Sequence, residues 1–200
     1  MLYEIGDKVL DEWVITRTIG EGSYGKVVEI ERNEFGLSMK SALKIISIPG
    51  NNSELKAVMG EGVDNKSITS YFYGFVEEII KEIAIMSELK GHTNIVTYED
   101  HRVIPHEDHI GWDILIRMEL LTSLLDYSEE HEITEQTVIK LGTDILTALE
   151  VCQKYHVVHR DIKPENIFYD GKHVYLFDFD IARNYHENQK RDTTVLGSQG

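Results

Sequence analysis

The strongest chemical signal in the sequence is the stretch HRDIKPEN at residues 159–166, which fits the pattern H-R-D followed by four residues and Asn. An aspartate such as Asp161 can accept a proton from an attacking hydroxyl. The amide oxygen of Asn166, five positions on, can hold a Mg²⁺ ion, and Lys163 can neutralise a phosphoryl group in transfer. The stretch therefore predicts a phosphoryl-transfer loop. The alternative is a solvated polar loop that satisfies its own turn hydrogen bonds.

A second acidic group follows this loop at a spacing that suits a further metal ligand. The apolar run Val174–Phe177 predicts a short strand, and Asp178 follows it directly, 17 positions after Asp161. We expect the strand to deliver Asp178 next to the loop, where it would bind Mg²⁺ together with Asn166. A lone aspartate after a strand is otherwise a turn or capping residue.

The glycine-rich stretch GEGSYGKV at residues 20–27 fits the pattern G-x-G-x-x-G-x-V. It lies between two alternating apolar runs, Trp13–Ile19 and Lys26–Glu31, which predict the strands of a hairpin. A dinucleotide-binding fold would place such glycines between a strand and a helix, so that fold is disfavoured. Because glycine has no Cβ, the backbone N–H groups of this hairpin can approach the oxygens of a triphosphate.

A lysine on the next predicted strand and a glutamate on the next predicted helix complement each other. Lys44 lies in the run Met39–Ile48, and Glu82 lies in the predicted helix Ser67–Lys90. A lysine between core residues and a carboxylate on an apolar stripe each need an opposite charge, so we expect these two to pair. The alternatives are an exposed strand lysine and a glutamate that reaches solvent at the edge of the stripe. The other members of that stripe are Phe75, Ile79, Met86 and Leu89.

The later part of the chain is richer in helix. The run Thr134–Lys154 predicts a second long helix, Leu120–Tyr127 is expected to be a connector, and residues 51–66 an irregular or partly helical insertion. Strands first and helices later predict an α+β fold in two lobes. The buried stripe predicted for the second helix comprises Val138, Leu141, Ile145, Leu149 and Cys152.

Five motifs that follow one another along the chain resemble the eukaryotic-type (bacterial Hanks-type) serine/threonine protein kinase family. They are the glycine-rich stretch at 20–27, Lys44, Glu82, the stretch at 159–166 and Asp178. The pattern DIKPEN, with its lysine at Lys163, resembles the Ser/Thr branch of the family, because tyrosine kinases usually carry a different pattern at this place. The resemblance implies a two-lobed protein-kinase-like fold of the α+β class. A complete small β-rich lobe with one major helix would span residues 1–119, with the insertion near 51–66, and an incomplete helical lobe would span residues 120–200. The chain stops before the family's Ala-Pro-Glu motif, so we expect a truncated domain that has weak or no activity and self-associates.

The resemblance also implies roles for the residues that match the family's motifs. The implied cofactors are ATP and Mg²⁺, with Mn²⁺ able to replace Mg²⁺. The implied catalytic residues are Asp161, Lys163, Lys44 and Glu82, and the implied metal ligands are Asn166 and Asp178. The implied nucleotide-binding residues are Gly20, Gly22, Ser23, Tyr24, Gly25, Val27, Ala42, Lys44, Met118, Glu119, Leu121 and Phe168. Met86, Phe179 and His159 would form an internal column of side chains.

Two features depart from the family's pattern. Asp180 stands where a glycine usually follows Asp-Phe, and that glycine gives the following segment its conformational freedom. The 38 positions between Lys44 and Glu82 exceed the usual family spacing, in agreement with an insertion between them.

Composition and charge limit the partners. The 200 residues carry 20 Lys and Arg against 35 Asp and Glu, a formal net charge of −15, which disfavours nucleic acid because phosphates are repelled. One cysteine excludes an internal disulfide, and the sequence has neither a long apolar run nor a signal-peptide pattern, which predicts a cytoplasmic protein without a membrane segment. We expect ATP-dependent phosphorylation of Ser/Thr hydroxyls on protein substrates. The alternatives are a catalytically impaired, nucleotide-binding pseudokinase scaffold and a small-molecule kinase.

Overall fold

The computed structural model describes residues 3–22, 25–59, 64–177 and 183–184. The chain divides into two compact units, the first formed by residues 1–79 and 98–120 and the second by residues 80–97 and 121–200. The lobe boundaries of 1–119 and 120–200 stay a prediction, and each unit is described below by itself.

The first unit is built on an antiparallel sheet that has six strands within the described residues, in the order β1-β2-β3-β4-β6-β5. Residues 41–45 and 113–116, at the centres of two of its strands, are buried without interruption, so these strands do not show the alternation of a sheet that is buried on one face only. The strands are β1 (Lys8–Val9), β2 (Trp13–Gly22), β3 (Gly25–Glu34), β4 (Leu37–Ile48), β5 (Tyr98–Pro105) and β6 (Trp112–Met118). The buried cluster on the sheet comprises Val9, Trp13, Ile15, Val28, Ile30, Leu43, Ile45 and Leu115.

The insertion between the third strand and the long helix is partly helical, as expected. Helix α1 (Asn52–Val58) begins after Asn51, whose side chain accepts hydrogen bonds from the backbone N–H groups of residues 53 and 54. Helix α2 (Asn65–Glu88) begins after Asp64, whose carboxylate accepts the N–H of Ser67 at 2.8 Å. The predicted helix Ser67–Lys90 is therefore correct within two residues at each end.

The predicted stripe of α2 is confirmed in part, because Glu82 and Leu89 are buried and Ile79 and Met86 are half-buried. Phe75 is about half exposed, whereas Ile68, Phe72 and Val76 are buried. The stripe did not include Ile68, Phe72 and Val76, the residues of α2 that are buried in the first unit. Glu82, Ile83, Ile85 and Leu89 are buried farther along the chain.

The second unit combines helices with short strands. Its elements after the first unit are β7 (Thr122–Ser123), α3 (Leu124–Glu130), α4 (Glu135–Lys154), β8 (Val157–Val158), β9 (Ile167–Tyr169), β10 (Val174–Leu176) and β11 (Arg183–Asn184). Within the described ranges, β10, β9 and β7 form one antiparallel sheet and β11 pairs with β8. The core of the unit comprises Ile85, Leu89, Ile95, Ala148, Cys152, Val157 and Leu176.

Two sequence-based expectations about this unit were wrong. The connector predicted at Leu120–Tyr127 contains the start of α3, because Ser123 caps that helix by accepting the N–H of Asp126 at 3.0 Å. Val138 is 54% exposed, whereas the other members of the predicted stripe of α4 are confirmed as core residues: Cys152 is buried, and Leu141, Ile145 and Leu149 are partly buried against the core. The predicted start of α4 is confirmed, with Thr134 as its N-cap. None of the helices in the described ranges is long and apolar enough to cross a membrane.

Candidate active site

The loop at residues 159–166 brings three predicted functional side chains together. The Lys163 ammonium lies 2.8 Å from the Asp161 carboxylate oxygen Oδ2. The Asn166 amide nitrogen donates to the same carboxylate oxygen at 3.0 Å and to the Asp161 backbone carbonyl at 2.9 Å. Two donors thus converge on one carboxylate oxygen of Asp161, and a carboxylate is the form of this side chain that can receive a proton from a hydroxyl.

The buried imidazole of His159 orients this loop. Its Nε2 donates to the backbone carbonyl of Phe177 at 2.9 Å, because a carbonyl can only accept. Its Nδ1 then accepts the backbone N–H of Asp161 at 3.3 Å, so both contacts fit one neutral tautomer. The intervening residue, Arg160, adopts a left-handed φ of 69°, a backbone strain of the kind found at functional sites.

The segment that leads to Asp178 is hydrogen-bonded to the same loop. The N–H of Phe177 donates to the backbone carbonyl of Asn166 at 2.9 Å. The chain immediately before Asp178 is thereby joined to both ends of the loop, through His159 and through Asn166. Asp178, with Phe179 and Asp180, lies outside the described residues.

The donor chemistry of this loop fits a hard divalent cation. The amide nitrogen of Asn166 faces Asp161, so its oxygen is the atom of that side chain that can bind a cation. An amide oxygen and a carboxylate oxygen such as that of Asp178 are ligands that Mg²⁺ accepts. Among the described residues, no group of three or more His, Cys, Asp or Glu side chains could hold a metal by itself. A cation here would accordingly be shared with phosphate oxygens and water.

The glycine-rich stretch belongs to a hairpin, as predicted, but the strands extend farther into it than expected, because β2 continues to Gly22 and β3 begins at Gly25. Gly22 pairs with Gly25 and Gly20 pairs with Val27 across β2 and β3, while Ser23 and Tyr24 lie outside the described residues. Gly25 has φ +121°, and a Cβ there would overlap the carbonyl oxygen of Ile45. A Cβ on Gly20 would meet no atom within 4 Å, so the backbone at that position is open to a ligand.

Four predicted nucleotide-binding residues share one face of the sheet. Val27 is directly opposite Lys44, and Ala42 is directly opposite Met118. Residues directly opposite each other in a ladder lie on the same face, as do residues two apart on one strand. The family resemblance assigns these residues to the adenosine and phosphate groups, and the register places them on one continuous surface of the first unit.

Both charged residues of the predicted Lys44–Glu82 pair are buried. Lys44 is 7% exposed and Glu82 is 9% exposed, which contradicts the alternatives of an exposed strand lysine and a solvated glutamate. Buried charges require compensating partners, in line with the reasoning that led to this pair. Lys44 belongs to the first unit and Glu82 to the second, and the pairing of the two stays a prediction.

The remaining predicted residues are placed as follows. Met118 is buried at the end of β6, and Glu119 and Leu121 are half-buried just beyond it. Phe168 is half-buried on β9, with its ring edge-to-face against that of Phe177 at 5.4 Å. Met86 packs against the core of the second unit, where His159 is also buried, so two members of the predicted column lie in that unit.

Sequence reasoning did not single out two buried polar residues of the second unit, Asn94 and Asp144. A signal for Asp144 was present, because it lies next to Ile145 on the apolar face of α4 and a carboxylate there needs a partner. Asn94 carried no comparable signal, since a lone asparagine before a strand is usually a turn residue.

Comparisons with known proteins agree with this geometry. Residues 13–200 match the family model described as protein kinase domain. The chain is 28% identical over 204 residues to the serine/threonine-protein kinase Nek2 of Mus musculus, covering 94% of this chain and 40% of that protein. It is 31% identical over 180 residues to a probable casein kinase I homologue of Encephalitozoon cuniculi, covering 87% of this chain and 46% of that protein. It is 36% identical over 126 residues to the serine/threonine-protein kinase pak-1 of Caenorhabditis elegans, covering 61% of this chain and 21% of that protein.

The chain spans less than half the length of these curated relatives. The family match nevertheless covers all the motifs described above, from the glycine-rich hairpin to the segment after β10. The fold, the order of the motifs and the family match together show that this chain belongs to the protein kinase family and has serine/threonine kinases among its relatives.

Proposed function

We propose that this protein transfers the γ-phosphoryl group of ATP to Ser or Thr hydroxyls of protein substrates. The observation that carries the proposal is the convergence of the Lys163 ammonium and the Asn166 amide on the Asp161 carboxylate. This arrangement holds one proton acceptor, one cationic donor and one metal-binding amide within a few ångströms of each other. In-line phosphoryl transfer needs little more from a protein than such positioning and charge.

In the proposed reaction, the hydroxyl oxygen of the substrate forms a bond to the γ-phosphorus while the bond from that phosphorus to the β,γ-bridging oxygen breaks. The hydroxyl proton passes to Asp161, and ADP leaves with the electron pair of the broken bond. Lys163, placed at Asp161, donates to an oxygen of the group in transfer. When bound at Asn166 and Asp178, Mg²⁺ supplies charge neutralisation for the phosphates.

The remaining residues of the proposal bind the nucleotide. The Gly20–Gly25 hairpin covers the phosphates with backbone N–H groups, and Lys44, kept charged by Glu82, contacts the phosphate oxygens. The surface of Val27, Ala42 and Met118 packs against the adenine base. Lys163 within DIKPEN and the serine/threonine kinases among the relatives support Ser or Thr, rather than Tyr, as the acceptor. The cytoplasmic location and the lack of nucleic-acid binding stay predictions.

The test measures the rate at which labelled phosphate passes from γ-labelled ATP to a basic protein substrate. The unaltered protein is compared with the variant Asp161→Asn. The amide cannot accept the hydroxyl proton, so we expect the rate to fall by about 10²–10⁴-fold, the usual contribution of a general base. The matched control is Asp126→Asn, the same chemical change at an exposed residue of α3 in the same unit, which should leave the rate unchanged. Equal loss of transfer in both variants, or no loss in Asp161→Asn, would contradict the proposed role of Asp161.

One sequence feature favours a second function, a nucleotide-binding scaffold without transfer. Asp180 replaces the glycine that normally follows Asp-Phe and adds a carboxylate two residues after Asp178. In that case the protein would bind Mg²⁺ and ATP but transfer no phosphate, and Asp180→Gly would raise the rate. Transfer by the unaltered protein that Asp161→Asn abolishes would exclude the scaffold function.

A further inference from the structure

The six-stranded sheet has a second face, which carries Ile45 and is opposite the face of the predicted nucleotide-binding residues. Ile45 pairs with Lys26 on β3 and with Leu115 on β6, so these three side chains lie on one face, the Ile45 face. Asp113, two residues before Leu115, lies on it too. Val27 follows Lys26 and therefore lies on the other face. A contact with the Lys26 side chain thus reaches the glycine-rich hairpin from the side opposite the predicted nucleotide-binding surface.

Tyr3 bridges two strands across the Ile45 face. Its hydroxyl donates to the Asp113 carboxylate oxygen Oδ2 at 3.0 Å, and its backbone carbonyl accepts from the Lys26 ammonium at 2.9 Å. Strand β4 lies between β3 and β6 in the sheet, so this bridge spans three neighbouring strands. Tyr3 also packs against the apolar cluster that contains Ile45 and Leu115. A single residue of the N-terminal segment therefore joins the start of β3 to the start of β6.

The Asp113 end of this bridge is fixed in the core. Asp113 is 1% exposed, and its Oδ1 accepts the Ser47 hydroxyl at 2.7 Å and lies 3.1 Å from His106 Nε2. Burial opposes ionisation of this carboxyl, but its contacts with Ser47, His106 and Tyr3 outweigh burial and lower its pKa. Burial and the nearby carboxylate raise the pKa of Tyr3, so the hydroxyl stays a donor at neutral pH. The bridge thus joins a stable donor to a stable acceptor.

The backbone that follows Tyr3 is fixed to β2. The N–H of Gly6 donates to the Ile15 carbonyl at 2.8 Å, and the N–H of Ile15 donates to the Asp7 carbonyl at 3.0 Å. The N–H of Glu4 donates to the Asp7 carboxylate at 2.8 Å, which closes a turn directly after Tyr3. Strand β1 then pairs with β2. The segment that presents the Tyr3 carbonyl is therefore part of the fold.

Lys26 is the residue at which the glycine-rich hairpin leaves the rest of the sheet. The pair of Lys26 and Ile45 is the first of the β3–β4 ladder, whereas Gly25 pairs with Gly22 inside the hairpin. The β2–β3 ladder itself is irregular at two places between residues 15 and 20, and such bulges bend a strand. The direction of the hairpin beyond the sheet therefore depends on how Lys26 is held.

We propose that Tyr3 is a positioning residue that directs the glycine-rich hairpin for nucleotide binding by holding Lys26 from the Ile45 face. The inference rests on the proposed function, because it concerns the nucleotide of phosphoryl transfer. When only a fraction of the free protein has the binding-competent hairpin, the apparent dissociation constant rises by the inverse of that fraction. Loss of the bridge therefore weakens nucleotide binding without removing any group that touches the nucleotide.

The test compares Tyr3→Phe, Lys26→Met and the double variant with Ser47→Ala as the matched control. Tyr3→Phe and Ser47→Ala each remove one hydroxyl donor to the Asp113 carboxylate, so they should lose similar amounts of stability. Of these two hydroxyl residues, Tyr3 is the one that holds Lys26. Lys26→Met keeps an unbranched side chain but cannot donate to the Tyr3 carbonyl. Isothermal titration calorimetry measures the affinity for the non-hydrolysable ATP analogue AMP-PNP with Mg²⁺, and urea unfolding measures stability.

We expect Tyr3→Phe and Lys26→Met each to raise the dissociation constant of AMP-PNP by about threefold to fivefold, as the loss of one hydrogen bond predicts. The double variant should bind no more weakly than the weaker single variant, because both contacts belong to one bridge. Ser47→Ala should keep the affinity of the unaltered protein. Unchanged affinity in Tyr3→Phe, additive losses in the double variant, or equal weakening in Ser47→Ala would overturn the proposal.

A second measurement needs no nucleotide. Hydrogen exchange followed by mass spectrometry reports on the peptide that carries residues 25–30, at the start of β3. We expect faster exchange of this peptide in Tyr3→Phe and Lys26→Met, and exchange at the unaltered rate in Ser47→Ala. Equal exchange in all variants would contradict the coupling of Tyr3 to the hairpin.

The outcomes separate this inference from the proposed function. Nucleotide binding that weakens in Tyr3→Phe, in a protein that transfers no phosphate, would support the positioning role and contradict the kinase activity. In a protein that does transfer phosphate, the positioning role predicts a raised KM for ATP in Tyr3→Phe at an unchanged kcat. An unchanged KM would contradict the role of Tyr3 and leave the kinase activity supported. Absence of nucleotide binding in the unaltered protein would contradict both.

Discussion

The two outer glycines of the β2–β3 hairpin meet different physical requirements. Gly20 faces open space, so no neighbouring atom of the fold requires a glycine there, whereas Gly25 is required by the fold itself. At φ +121°, Gly25 adopts a backbone conformation that side chains with a Cβ rarely reach, and its Cα lies close to the backbone of Ile45. One glycine of the motif can therefore be tested by stability and the other by ligand binding.

We expect Gly25→Ala to lower the stability of the protein by about 1–3 kcal/mol, because the new Cβ meets the Ile45 carbonyl and the backbone is strained. Thermal unfolding followed by circular dichroism measures this change. Gly20→Ala is the matched control and should unfold at nearly the same temperature as the unaltered protein, because its Cβ would meet no neighbour. A similar loss of stability in both variants would contradict the assignment.

The thiol of Cys152 should be inert in the folded protein. Burial raises its pKa to about 11, so the reactive thiolate is scarce at neutral pH. We expect no reaction with a thiol-specific disulfide reagent under native conditions and complete reaction in denaturant. Absorbance of the released thiolate measures both, and rapid labelling of the folded protein would show that the site opens.

At the scale of elements, strand β3 carries a buried acidic residue with two cationic partners. The ammonium of Lys40 lies 2.8 Å from Glu29 Oε1, and the guanidinium nitrogen Nε of Arg17 lies 2.7 Å from Oε2. The hydrogen bond from Lys40 contributes most to lowering the pKa of Glu29, which falls to about 2 against the opposing effect of burial. These contacts join β2, β3 and β4 on the face of the sheet that also carries Val27 and Ala42.

The lowered pKa of Glu29 makes part of the stability dependent on pH. The unfolded chain takes up this proton near pH 4.5 and the folded chain only near pH 2, so the stabilisation is complete above pH 4.5 and is lost as the pH falls toward 2. We expect Glu29→Gln to be less stable than the unaltered protein at pH 7, with the difference shrinking at pH 3. Urea unfolding at the two pH values measures it.

The control for this experiment is Glu34→Gln, an exposed glutamate at the end of the same strand. Its only described ion pair is with Arg32, and surface pairs contribute little to stability. We expect a small difference that changes little with pH. A difference for Glu29→Gln that is constant from pH 7 to pH 3 would contradict the role of its ion pairs.

At the scale of the whole molecule, nucleotide binding should be visible as stabilisation. If ATP and Mg²⁺ bind the folded chain alone, a concentration 100-fold above the dissociation constant adds about 2.7 kcal/mol to the free energy of unfolding. We expect the thermal midpoint to rise with ATP and Mg²⁺ together and to rise less in Lys44→Met, which lacks the phosphate-binding ammonium. Differential scanning fluorimetry measures both shifts.

Mg²⁺ without nucleotide is the control for this prediction. The proposed metal site has two protein ligands, so Mg²⁺ alone should bind weakly and produce a much smaller shift. An equal shift in Lys44→Met and the unaltered protein would mean that the nucleotide does not use Lys44.

Local patterns of sequence were sufficient for much of this molecule. Asp161, Lys163 and Asn166 lie within six positions of each other, so a short motif determines their proximity, and in the structure Lys163 and Asn166 both contact Asp161. Helix α4 begins where Thr134 can cap it, which is also a local property. The resemblance to the kinase family and the two-lobed α+β class followed from such motifs in order, and the family match confirms both.

Other features depend on which parts of the chain pack together, and no window of sequence contains that information. Phe75 of α2 and Val138 of α4 are exposed despite their apolar character, because the packing of the rest of the chain decides which part of an apolar stripe is covered. Asp144 and Asn94, whose side chains hydrogen-bond the backbone of Val174 in β10, act across 30 and 80 positions, and each would be an ordinary capping or turn residue in its own segment. Periodicity in the sequence shows that one face of an element is buried. Only the tertiary structure shows which buried N–H donors need an acceptor, because this need depends on backbone groups that are brought together from distant positions.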